Sequence, residues 1–142
     1  MEVRIFSTAE PAYRSSLELR NRCLRIPLGR DVFKEDLSDE KNQMHFGLFE
    51  EGRLLACVIL KPLGDGSVKL RQMVVEEAVQ CQGLGKELIQ GMERLAKERG
   101  VESIEMSARI SAQGFYEKMG YRCEGGIFQE VGLDHVKMTK GL

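Results

Sequence analysis

The chain has 142 residues, a formal net charge of −1, 42% hydrophobic and 30% charged residues. That length suits one domain, residues 1–142, and the balanced charge lacks the basic excess of a nucleic-acid footprint. No apolar run approaches the roughly 18–20 residues that cross a bilayer, and Met1-Glu2-Val3-Arg4 is charged where a signal peptide needs an apolar core, so a cytoplasmic protein with no membrane partner is expected.

In chain order, Val3 and Ile5 with polar residues between them predict a short first strand. Pro11 suits the first turn of a helix. Ala12, Ser16, Leu19 and Cys23 then recur at helical spacing, so the helix should reach about Leu24. Pro27-Leu28-Gly29 breaks it. Asp31 to Asn42 reads as part helix, part loop. Met44–Phe49 and Leu54–Leu60 flank Glu51-Gly52 as a hairpin that Pro62, Gly64 and Gly66 should end. Val68–Val75 is the next strand. Leu84, Leu88, Gly91 and Leu95 make an apolar helical stripe, with Gly91 allowing close approach to a sheet at some loss of helix propensity. Val101–Ala108 reads as a strand. Ser111 is placed to cap a short helix ending at Gly120. Two strands follow, through Phe128 and over Leu133–Met138. The order predicts an α/β (α+β) domain with a mixed sheet flanked by helices. Cysteines 23, 57, 81 and 123 form no Cys-x-x-Cys pair, so reduced thiols and no metal site are expected.

The most informative segment is Met73-Val74-Val75, a short loop with Gln80-Cys81-Gln82-Gly83-Leu84-Gly85-Lys86, and the helix after it. A strand, a glycine loop and a helix start aim several free backbone N–H groups at an anion, with the helix dipole adding positive charge. The segment therefore reads as a pyrophosphate cradle. It is not a P-loop, because Glu87 follows Gly85-Lys86 where a hydroxyl is required. It is not a dinucleotide fingerprint, because Gly83-Leu84-Gly85 lacks the third glycine.

Gln80-x-x-Gly83-x-Gly85 resembles the Gln/Arg-x-x-Gly-x-Gly/Ala signature of the GNAT (GCN5-related N-acetyltransferase) family. About thirty residues on, Phe115-Tyr116-Glu117-Lys118-Met119-Gly120-Tyr121 resembles a second segment of that family. Two matches in order and spacing are far more specific than one. The resemblance implies a mostly antiparallel sheet whose central strands, Val68–Val75 and Glu102–Ala108, splay apart around the pantetheine of acetyl-CoA. It implies cofactor contacts from Met73, Val74, Val75, Gln80, Cys81, Gln82, Gly83, Leu84, Gly85, Lys86, Phe115 and Tyr116. Cys81 stands where the family often has glycine, and Gln80 where arginine is commoner. Members often pair, so a homodimer is among the partners implied.

Acetyl transfer needs a held thioester, a neutral nucleophile and a protonated leaving thiolate. Tyr116 is the candidate general acid, with a phenol to protonate a thiolate of pKa near 8.5. Glu130, His135, Glu105, Glu76 and His45 are candidate bases. Glu130-x-Gly132-x-x-His135 resembles a segment near the acceptor pocket of some GNAT members. Arg22, Arg25 and Arg30 flank Pro27-Leu28-Gly29 and can hold an acceptor carboxylate or phosphate, or simply be a solvated basic face. The reading is an acetyl-CoA-dependent N-acetyltransferase acting on a small-molecule or peptide amine by direct attack. The alternative is a non-catalytic acyl-CoA-binding module on the same fold. A third, a nucleotide binder, would bind ATP.

Overall fold

The computed structural model describes residues 1–142. All seven strands join one sheet in the order β1-β2-β3-β4-β5-β7-β6. They are β1 (Glu2–Phe6), β2 (Met44–Glu50), β3 (Arg53–Gly64), β4 (Ser67–Val75), β5 (Ser103–Arg109), β6 (Arg122–Glu130) and β7 (Leu133–Gly141). Neighbours are antiparallel except β4 and β5. Three helices flank the sheet: α1 (Pro11–Arg20), α2 (Leu84–Glu98) and α3 (Gln113–Lys118). No helix is long and apolar enough to cross a membrane.

At β3 both faces of the sheet are covered, which explains its unbroken apolar run, buried from Leu54 to Leu60. On one face α2 lays down Leu84, Leu88, Ile89, Met92 and Ala96, one side of a 3.6-residue helix, against β-strand residues such as Phe46, Leu60 and Ile104. Gly91 lets it do so: a Cβ there would sit 2.5 Å from Val3 Cγ2 on β1. On the other face α1 packs Ala12 and Leu19 against Phe6, Phe49, Cys57 and Val74.

The central feature is a fork. The parallel pairing of β4 and β5 covers only Ser67–Ser103, Val68–Ile104 and Lys69–Glu105. Beyond Lys69 the strands part. β4 also carries a bulge there: two residues, Gln72 and Met73, stand opposite Val58 alone on β3, and Gln72 has φ +58. A bulge bends its strand and increases local twist, which turns the end of β4 away from β5.

A buried network fixes α1 beside that fork. Arg20 donates to both oxygens of Glu40, at 2.8 and 2.7 Å, and Tyr13 Oη donates to the same carboxylate at 2.8 Å. His45 Nε2 donates to the Glu40 carbonyl at 2.8 Å. Burial alone would raise the Glu40 carboxyl, but the Arg20 guanidinium and the Tyr13 hydroxyl outweigh it and hold the group below its ordinary value. Arg20 Nε is buried without a partner.

Several boundaries differ from expectation. The first helix is α-helical only to Arg20; Asn21–Arg25 continues as a π-type turn. β3 runs through Pro62 to Gly64, its outer end exposed and irregular in register. Ser111 does not cap α3: it lies in a 3-10 turn, and α3 starts after Ala112 with no side-chain cap.

Candidate active site

Two cavities meet in the fork. The first, about 770 Å³, lies between the end of β4, the loop before α2, and α3. Of the twelve residues expected to hold the cofactor, all except Gln82 line it. The loop explains how. Cys81 has φ +66 and Gly83 φ +78, two left-handed residues that turn the chain into α2. From Cys81 through Lys86, no backbone N–H donates within the chain; the next, Glu87 N–H, bonds to the Gly83 carbonyl at 3.2 Å. Such a run of free amides at a helix start offers an anion several donors at once.

The two loop glycines serve different ends. A Cβ on Gly83 would meet no atom of the chain within 4 Å, so its conformation is what requires glycine. A Cβ on Gly85 would lie 3.3 Å from the Phe115 ring, so there the requirement is packing. Gln80 turns back on the loop, donating to the Val75 carbonyl at 3.0 Å.

The second cavity, about 860 Å³, opens on the other side of the fork. Tyr116, Glu130 and His135 all line it. Leu24, Met73, Ala112 and Tyr116 line both cavities. Tyr116 is 6% exposed, its ring edge-on to Phe115 and Tyr121, and its hydroxyl has no hydrogen-bond partner in the chain. Burial pushes its phenol well above the ordinary value, so it stays protonated across the working pH range. Tyr121 differs: its hydroxyl is tied to Glu93 at 2.8 Å.

His135 is held in one tautomer. Nδ1 lies 2.9 Å from the Leu133 carbonyl, which only accepts, so Nδ1 carries the proton in the neutral ring. Nε2 is left as an acceptor, 3.6 Å from Glu130 Oε2. The ring stacks on Phe128 across the β6–β7 ladder. Of the other candidate bases, Glu76 pairs with Arg22 at 2.7 Å and Glu105 with Lys137 at 3.7 Å, and neither lines either of these two cavities. His45 is buried in the α1 network.

The arginine trio divides. Arg22 lines neither cavity, and Arg25 is bound by Glu35 at 2.6 Å. Arg30 lines the second cavity with no ion-pair partner. Lys69 and Arg109 line it too, and were not singled out from the sequence. Both strands alternate buried and open residues here, so a charge on an open position carries no signal of its own in the sequence.

A sheet forked between β4 and β5, with a loop of free amides before α2 and a tyrosine between two cavities, is the arrangement that the GNAT resemblance implies. A family model described as the acetyltransferase (GNAT) domain matches residues 23–142, and the chain belongs to that family. It is 34% identical to the uncharacterized protein YyaT of Bacillus subtilis (strain 168) over 129 residues, 84% of this chain and 87% of that one. Its fold matches the crystal structure of a Lactobacillus plantarum protein assigned as an N-acetyltransferase, with TM-score 0.85, 26% identity, and 100% and 99% of the two chains covered. A GNAT acetyltransferase from Elizabethkingia anophelis, solved with acetyl-CoA bound, shares the fold at TM-score 0.72 and 18% identity, over 99% and 97%.

Proposed function

We propose that this protein is an N-acetyltransferase that moves an acetyl group from acetyl-CoA to a primary amine by direct attack in a ternary complex. The observation that carries this is the meeting of two cavities at Tyr116, one edged by the free amides of Cys81–Lys86 and the other by His135 and Glu130. The donor fits the first cavity on this chain's own geometry: unpaired amides for its phosphates and free strand edge for its pantetheine amides. A fold relative solved with acetyl-CoA bound supports the choice of donor. When bound, acetyl-CoA supplies an activated acyl group and a thiolate leaving group.

The remaining chemistry falls to side chains. An amine arrives mostly as ammonium and must lose a proton. His135 Nε2, fixed as an acceptor by the Leu133 carbonyl, takes it. The neighbouring Glu130 carboxylate then stabilises the imidazolium, and its half-exposed side chain can pass the proton to water. As the attacking nitrogen sheds its second proton to the leaving sulfur, Tyr116 Oη, protonated and unpartnered, would hydrogen-bond that sulfur. Its raised pKa makes it a weaker acid, so its main contribution is a hydrogen bond that strengthens as charge grows on sulfur.

The test is release of CoA thiol from acetyl-CoA over a panel of amines, beside calorimetric titration of CoA alone. Turnover with at least one amine is expected. Saturable CoA binding with no thiol release from any amine would instead support a binding module.

A further inference from the structure

The cavity that holds Glu130 and His135 carries more positive charge than proton transfer requires. In a chain of net charge −1, it is lined by six basic and three acidic side chains. Two of the basic groups are already engaged. Arg25 is held by Glu35 at 2.6 Å and donates to Gln72 at 3.0 Å; Arg71 donates to Gln43 at 2.8 Å. The acidic Asp31 accepts from the Phe33 N–H at 3.0 Å. Arg30, Lys34, Lys69 and Arg109 have no carboxylate partner.

These four cations come from separate parts of the chain and converge on one recess. Arg30 and Lys34 sit on the segment after the π-type turn. Lys69 stands at the last rung before β4 and β5 part. Arg109 ends β5 directly opposite His135 on β7. Opposed residues of an antiparallel pair place their side chains on the same face, so the Arg109 guanidinium rises beside the ring that takes the proton. With six basic against three acidic side chains the recess is net positive, so it repels a cation that enters and favours an anion. The same field favours the neutral form of a bound amine, which attack requires.

We propose that the acceptor is an amine that also bears an anionic group, a carboxylate or a phosphate, held by Arg109, Lys69, Arg30 and Lys34. This rests on reading the cavity as the acceptor site of an N-acetyltransferase. Polycationic amines are disfavoured.

Matched probes test it: leucine against leucinamide, phosphoethanolamine against ethanolamine, and spermidine as the cationic control. Each is offered with acetyl-CoA for thiol release, and each is titrated by calorimetry into CoA-saturated protein. The anionic member of at least one pair should exceed its uncharged-end partner in kcat/KM by roughly 10-fold or more, as expected of charge-assisted hydrogen bonds, and the two pairs tell carboxylate from phosphate. In the Lys69→Gln/Arg109→Gln double variant that ratio should fall toward one, mainly through KM. If leucinamide, ethanolamine or spermidine matches or exceeds the anionic probes, the proposal is overturned and acetyl transfer stands. If an anionic probe binds preferentially but no probe releases thiol, the charge assignment stands and the catalytic reading falls. If none binds preferentially and none releases thiol, both fall.

Discussion

At the scale of single residues, Tyr116 separates chemistry from packing most cleanly. Tyr116→Phe keeps the ring against Phe115 and Tyr121 and removes only an unpartnered hydroxyl. Turnover should fall roughly 10²–10⁴-fold, the usual worth of such a group, with CoA affinity little changed. Full turnover under conditions where chemistry limits the rate would make Tyr116 a packing residue. Gly83 gives the complementary result. The Cβ of a valine there has open space around it, yet the residue must adopt φ +78, a strain of about 1–2 kcal/mol. Gly83→Val should therefore fold, with a lower melting point, and lose CoA affinity. Equal affinity in a well-folded variant would remove this residue from the cradle. Both positions were conspicuous in the sequence because glycine and tyrosine at fixed spacing point to a backbone or chemical requirement, and both line the first cavity. Lys69 and Arg109 were not, because strand charges reveal their role only once the fork shows which face they share.

At the scale of elements, most strands and helices follow their patterns, since two-residue and 3.6-residue periods are local properties. What escaped the pattern was decided by tertiary pairing. The bulge at Gln72 exists only relative to β3, and the partners of Arg22 and Arg25 lie 54 and 10 residues away. The α1 network belongs to this group, linking residues 13, 20, 40 and 45. Removing one side of its buried ion pair, Arg20→Ala, should destabilise the fold by about 3–5 kcal/mol, because Glu40 is left charged and dry. A denaturant melt showing less than about 1 kcal/mol would mean that water reaches the site. Gly91 makes an opposite point about α2. Alanine is the better helix former by about 1 kcal/mol, yet its Cβ would collide with Val3. Gly91→Ala should lower the melting temperature, and a rise would show that β1 yields.

For the whole molecule, the same network contributes to the response to pH on both sides of neutrality. His45 is kept from protonating chiefly by burial, so its pKa is lowered from an ordinary 6.5. As pH falls below that value the unfolded chain gains a proton that the native state refuses, and stability declines. Glu40, also lowered, adds a second decline below its ordinary 4.5. Tyr13 acts at the other end. Burial, then its bond to Glu40, pushes it up to about 12 from 10.0, so its contribution is complete below pH 10 and is lost as pH rises toward 12. Thermal melts should show a plateau near neutrality with shoulders on both sides. His45→Gln, which keeps a donor for the Glu40 carbonyl, should flatten the first acid shoulder alone; an unchanged slope between pH 5 and 6.5 would place the titration elsewhere.

The fork has a thermodynamic consequence. Through the backbone, the β1–β4 portion of the sheet is tied to β5–β7–β6 by the short ladder Ser67–Ser103, Val68–Ile104 and Lys69–Glu105 and by the Gly66 carbonyl, which accepts from Glu102 and Ser103 at 2.8 and 3.3 Å. A donor lodged between the strands would bridge both portions and bind only the folded chain. Its binding energy would then appear as heat resistance by mass action, about 2.7 kcal/mol at a hundred times its dissociation constant. Melting temperature measured against CoA concentration would report donor affinity without any knowledge of the acceptor. It should rise for Tyr116→Phe much as for the unaltered chain, and far less for Gly83→Val. A melting point indifferent to millimolar CoA would mean that the gap between β4 and β5 is not a donor site.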